Sequence, residues 1–169
     1  MEFKTLYQEL INSTEMIRAL ANGIGQEQAQ FKPDANSWSI LEVTGHLHDE
    51  ECSDFRARLD GILYRPNEAF VMINPQGWVT ERKYNEQNFE QMKGKFFTER
   101  TKSLEWLKGL ANADWETAHT DEYGSVTAGE MFASWVAHDN LHIRQLVELR
   151  RAYIERITKP YIIEYAGEW

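Results

Sequence analysis

The run TAGEMFASWVAHDNLHIRQLVELRRAY, residues 127–153, decides the fold. Met131, Trp135, His138, His142, Gln145, Leu146, Leu149 and Tyr153 recur at three- and four-residue spacing, the period of one face of a helix. Thr127 followed three residues later by Glu130 is a capping box, in which side chain and backbone satisfy each other's free donors at a helix start. His138 and His142, just over one turn apart, leave the same face and can converge on one ion. They share their stripe with Met131, Trp135 and Leu149, so they point to the core, where two neutral imidazoles both need partners. A pair of buried, hydrogen-bonded structural histidines is the competing reading.

Three more stretches carry the same period. Phe3, Leu6, Leu10, Ile17 and Leu20 predict a helix over about 3–21, with Thr14 filling the stripe and Asn22-Gly23-Ile24-Gly25 stopping it. Ser39-Ile40-Leu41-Glu42 is a second capping box and opens a helix running to about Leu63. Phe89, Met92, Phe96, Leu104 and Leu107 place a third over about 84–110. Between the second and third, Arg65 to Thr80 holds Pro66, Pro75, Gly77 and Trp78 and no helical period, which reads as a long loop and a candidate lid. No stretch reads convincingly as a strand, and the tail from Lys159 to Trp169 reads as irregular. Four amphipathic helices imply an all-α chain folded as an antiparallel four-helix bundle, with any site built from side chains facing its interior.

The 169 residues, at 19.8 kDa, suit one domain spanning 1–169, large enough to bury a core without disulfides. A net charge of −9, with lysine and arginine scattered, argues against nucleic acid, whose binding needs a basic face. No run of eighteen apolar residues and no signal-like N-terminus is present, and the single cysteine, Cys52, suits a reducing compartment. A cytoplasmic protein with no membrane partner is expected.

A third ligand to join His138 and His142 is sought among the remaining three of the five histidines. His46 and His48 both lie on the second helix, about 200 degrees apart, so only one can face a shared site. A helical wheel sets His48 among Leu41, Thr44, Phe55 and Leu59, and His46 on a polar margin with Glu42, Val43 and Glu50; periodicity favours His48. Asp49 and Glu50 follow His46 closely enough to orient an imidazole or to add an oxygen ligand. Cys52 reads as a small buried hydrophobe, and His119, beside Asp121 and Glu122, as a surface residue. Trp78, Tyr84 and Arg144 are candidates for a substrate pocket or for ordinary packing.

The segment Trp38-Ser39-Ile40-Leu41-Glu42-Val43-Thr44-Gly45-His46 resembles the second-helix signature of the DinB-like family, in which a tryptophan precedes the ligand histidine by eight residues. His138-Asp139-Asn140-Leu141-His142-Ile143-Arg144-Gln145 resembles that family's paired-histidine segment, commonly followed by a glutamine. The closing Pro160 to Trp169 resembles the tails of some members. The resemblance implies a four-helix bundle holding a divalent metal, often zinc or nickel, on His46, His138 and His142, with His48 and Glu50 as lesser candidates, and frequently a homodimer. Some relatives are S-transferases that use bacillithiol, mycothiol or glutathione as thiol cosubstrate. The expectation is a metal-dependent S-transferase acting on a small-molecule electrophile; a metal-dependent hydrolase and a non-catalytic, stress-associated metal-binding dimer are the alternatives. Three neutral imidazoles leave an ion its full charge, which favours ionising either a thiol or a water bound beside them.

Overall fold

The two capping boxes form as their sequences dictate, and between them they fix where the bundle's two best-defined helices begin. Ser39 accepts from the Glu42 amide while Glu42 takes the Ser39 N–H, and Thr127 and Glu130 repeat the arrangement. In a computed structural model describing residues 2–167, the chain forms α1 (Phe3–Ala21), a short α2 (Gln26–Gln30), α3 (Ile40–Glu50), α4 (Arg56–Tyr64), α5 (Pro75–Glu81), α6 (Phe89–Lys108) and α7 (Ala128–Ile157). Met1, and Glu168 and Trp169 at the end of the tail, lie outside the described residues. A π-helical turn, Glu51–Phe55, joins α3 to α4 without a break, so the two act as one long helix.

Several elements depart from the sequence reading. Pro75–Glu81 is helical, capped by the Asn74 side chain on the Gly77 amide, inside the stretch expected to be a loop. The third long helix starts at Phe89, capped by Asn88, after a separate 3-10 turn at Tyr84–Glu86. An antiparallel hairpin, β1 (Ala118–Asp121) with β2 (Gly124–Thr127), occupies the connector where no strand was expected. A further 3-10 turn, Glu164–Ala166, interrupts the tail.

The four long helices are α1, α3–α4, α6 and α7, and their side-chain contacts fix their directions. Phe3 stacks near Phe132 while Arg150 donates to the Leu20 carbonyl, so α1 and α7 run parallel. Glu51 meets Arg100 and Arg56 meets Glu99 and Ser103, so α3–α4 and α6 also run together. Trp38 lies against His142 and Phe55 against Trp135, which sets α3–α4 antiparallel to α7. Tyr7 bonds to Leu104 and Thr14 to Arg100, which does the same for α1 and α6. The bundle is thus two parallel pairs packed in opposite directions. Parallel neighbours need a connection that travels back along the bundle, and this is the physical reason for the long stretch from Arg65 to Asn88.

Two apolar clusters fill the interior. One contains Ile17, Leu41, Val43, Leu47, Phe96 and Leu146, the other Leu10, Phe55, Leu59, Leu107, Phe132 and Trp135. A polar layer separates them, with one residue from each long helix: Thr14, Glu51, Arg100 and Asp139, all buried. Arg100 donates to Glu51 Oε1 at 2.9 Å, to Asp139 Oδ2 at 2.6 Å and Oδ1 at 2.9 Å, and to Thr14 Oγ1 at 3.1 Å. Burial works against its charge, but the two carboxylates hold the guanidinium protonated well above its usual range.

Candidate metal centre

His46 on α3 and His138 and His142 on α7 meet across the antiparallel helix pair, beside the polar layer. His138 Nε2 lies 3.1 Å from His142 Nε2 and 3.4 Å from His46 Nε2. One ring nitrogen from each of the three falls within 4.8 Å of the others. Burial chiefly, with the neighbouring imidazoles, pushes His46 and His138 down to about 3, and burial also lowers His142. All three are therefore neutral near pH 7, the protonation state in which imidazole is a ligand. His142 Nδ1 donates to Gln145 Oε1 at 2.9 Å, which leaves its Nε2 lone pair pointing inward. A divalent ion fits this donor set, because three neutral imidazoles bring their Nε2 atoms together with little but one another as partners. The adjacent layer, one arginine against two carboxylates, carries a formal excess of negative charge that favours a cation nearby.

The histidines form the floor of an open cleft. A cavity of about 540 Å³ is lined by Trp38, His46, Glu50, Ile73 to Gln76, His138, Leu141, His142 and Gln145. A second, of about 590 Å³, continues over Trp38, His142 and Gln145 toward Pro33, Ser37, Glu148 and Ala152. Trp38 stands between them, its ring 5.0 Å from that of His46 and parallel to His142 at 6.4 Å. Among the described residues, no lysine or arginine lines either cavity.

Of the remaining sequence candidates, the structure sets His48 on a different face from His46, half-buried, with Nδ1 at 3.0 Å from Asp49 Oδ1. Asp49 also pairs with Arg82 at 2.5 Å and accepts from the Tyr84 hydroxyl. Burial opposes ionisation of Asp49, but the bonds from His48, Tyr84 and Arg82 hold its carboxyl below the usual range. His48, Asp49 and Cys52 do bring ligand atoms within 4.8 Å of one another. That cluster suits a metal poorly, since Arg82 already neutralises Asp49 and burial pushes the Cys52 thiol up, keeping it protonated. Glu50 is buried beside His46, and burial followed by the charge of Asp54 pushes its carboxyl up to about 8. Tyr84 is buried too, against Gly45, where an added Cβ would stand 2.6 Å from the ring. Trp78 stacks on Arg82, and Arg144 pairs with Glu148 at the surface, so neither is a cleft wall.

His119 corrects an expectation. It is buried, not at the surface: its Nδ1 is 2.9 Å from the Pro66 carbonyl and its ring stacks on Phe70 at 4.0 Å, fastening the return segment to the hairpin. The cleft wall from Ile73 to Gln76 was missed as a set of named residues, although the loop that carries it was flagged by its length and proline content.

The fold and site together define a class: helical bundles that present three inward histidines at the bottom of a cleft between antiparallel helices. The chain belongs to the DinB superfamily, whose model matches residues 9–146. No curated protein sequence matches it. Among solved structures it is similar to YfiT from Bacillus subtilis, described as a probable metal-dependent hydrolase with an unusual four-helix bundle topology. The two superpose with a TM-score of 0.76 at 16% identity, over 88% of this chain and 86% of that one. Among the described residues, no helix is long and apolar enough to cross a membrane.

Proposed function

We propose that the protein is a metal-dependent enzyme whose divalent ion, zinc or nickel, is held by His46, His138 and His142, and which acts on a small molecule bound in the cleft above them. The observation that carries this reading is the convergence of three neutral imidazoles, with Nε2 atoms 3.1 and 3.4 Å apart, on the floor of an open cavity. A divalent ion there would lower the pKa of a water or thiol at its open position and polarise a substrate oxygen. The protein's own residues bind and orient: Gln145 fixes the His142 ring, Trp38 gives a flat apolar wall, and Asn74 and Gln76 offer amide groups to a polar substrate.

Hydrolysis is the first reading, because among the described residues no lysine or arginine lines the cleft to hold the carboxylates of bacillithiol or glutathione. YfiT's description as a probable hydrolase points the same way. Transfer of an uncharged thiol such as mycothiol is the second, supported by the resemblance to S-transferases and by an aromatic wall suited to an apolar electrophile. Elemental analysis of the purified protein, followed by parallel screens against neutral esters and amides and against thiol–electrophile pairs, tests both. About one ion per chain is expected, with activity lost on chelation and restored by the metal. A protein that retains no divalent ion after loading and desalting would refute the metal reading. Turnover confined to anionic thiols would refute the ranking of the two reactions.

A further inference from the structure

Resting on that metal reading, we infer that Glu50 is a positioning residue for His46, accepting its Nδ1–H and so presenting the Nε2 lone pair to the ion, and is not itself a ligand. Asp49, Glu50 and Glu51 are three consecutive carboxylates, all buried. Asp49 is taken by His48, Arg82 and Tyr84, and Glu51 by Arg100 and the Trp135 indole. Of the three, Glu50 alone has an oxygen with no partner among the described residues: Oε1 is fully buried and makes no hydrogen bond there. His46 Nδ1 is buried and unpartnered in the same way, and the two atoms face each other 3.8 Å apart.

Two orphaned polar atoms of complementary kind, too close together to admit a water between them, need only a small rotation to form one hydrogen bond. The Nε2 edge of the His46 ring is turned to His138 at 3.4 Å, so the edge that Glu50 meets is Nδ1. Glu50 therefore stands on the edge of the ring away from the other imidazoles. The α7 side of the site repeats the device: His142 is oriented by Gln145 three residues on, as His46 would be by Glu50 four residues on. Each helix would supply both a ligand and the group that fixes its tautomer.

The test uses the full chain, metal-free and zinc-loaded, as wild type, Glu50→Gln and Glu50→Ala. Long-range 15N correlation spectra of metal-free wild type should show His46 as the Nδ1–H tautomer. Glu50→Gln keeps an acceptor oxygen, so it should keep that tautomer and bind zinc within about threefold of wild type, whereas Glu50→Ala should mix the tautomers and bind zinc about 10–100-fold more weakly. The proposal is overturned by an Nε2–H tautomer in wild type, by Glu50→Ala matching wild type in tautomer and affinity, or by Glu50→Gln falling as far as Glu50→Ala. Absence of zinc uptake by wild type would instead overturn the metal reading, while the metal-free spectra would still decide the contact between Glu50 and His46.

Discussion

At the scale of single residues, the contest between His46 and His48 shows what a helical wheel can and cannot see. A wheel works when a helix has a wet face, and α3 has almost none: Ile40 through Leu47 are all buried, because α2, α5, α6 and α7 surround it. With every side covered, the polar margin assigned to His46 was a margin against other protein. His46 faces α7, and His48 turns toward Asp49. His46→Ala, His138→Ala and His142→Ala should each lower zinc affinity by at least about 100-fold, while His48→Ala should leave it within about threefold. Chelator competition with each variant measures this, and metal loss in His48→Ala with retention in His46→Ala would show the wrong histidine had been chosen. The i, i+4 pair on α7 was legible because both residues sit on one helix. Which histidine of α3 joins that pair depended on which face of α3 meets α7, a tertiary fact that only the tryptophan-to-histidine spacing hinted at.

At the scale of elements, local signals survived folding and non-local ones did not. The capping boxes at Ser39 and Thr127 were readable because each is closed by residues three apart. The hairpin at 118–127 was not, since its short strands are held by pairing with each other and by the burial of His119 against Pro66 and Phe70. Nor did anything in the sequence announce Arg100 as the centre of the core. Amid polar neighbours on α6 it reads as a surface residue, yet it ties that helix to the histidine-bearing α7 through Asp139 and to the π turn after α3 through Glu51. Removing it strands two buried carboxylates, so Arg100→Leu should destabilise the fold by about 3–5 kcal/mol. A urea midpoint unchanged from wild type would mean the layer is not an energetic clamp. Asp139→Asn keeps the shape and an acceptor, and should cost less than Arg100→Leu; since Asp139 follows His138, it should also weaken zinc binding modestly.

At the scale of the whole molecule, stability should report the site through pH. In the metal-free protein His46 and His138 ionise only near pH 3, against 6.5 for an unperturbed imidazole, and His142 is lowered too. Between those limits the unfolded chain takes up protons that the folded chain refuses, so stability must fall as pH drops below 6.5. Glu50 acts in the opposite sense: its folded pKa of about 8 exceeds 4.5, so its contribution is full below 4.5 and is lost as pH rises through 8. From 6.5 to 4.5 the two effects overlap, but His46 and His138, helped by the lowered His142, oppose one carboxyl, and the imidazoles prevail. The metal-free chain should be most stable near neutral pH, losing its urea midpoint steeply on acidification and slightly toward pH 8. On the proposed metal reading, saturating zinc would bind the neutral imidazoles of the folded state alone, and at a thousandfold excess over its Kd should add about 4 kcal/mol. Because those imidazoles are already deprotonated in the fold, protons compete weakly with the ion. Zinc affinity should therefore fall less between pH 7 and pH 5 than that of a site of ordinary histidines. Urea titrations at several pH values, with zinc and with a chelator, measure both curves. A metal-free midpoint that stays level from pH 6.5 to 4.5 would contradict the buried, neutral state of the three histidines on which the site depends.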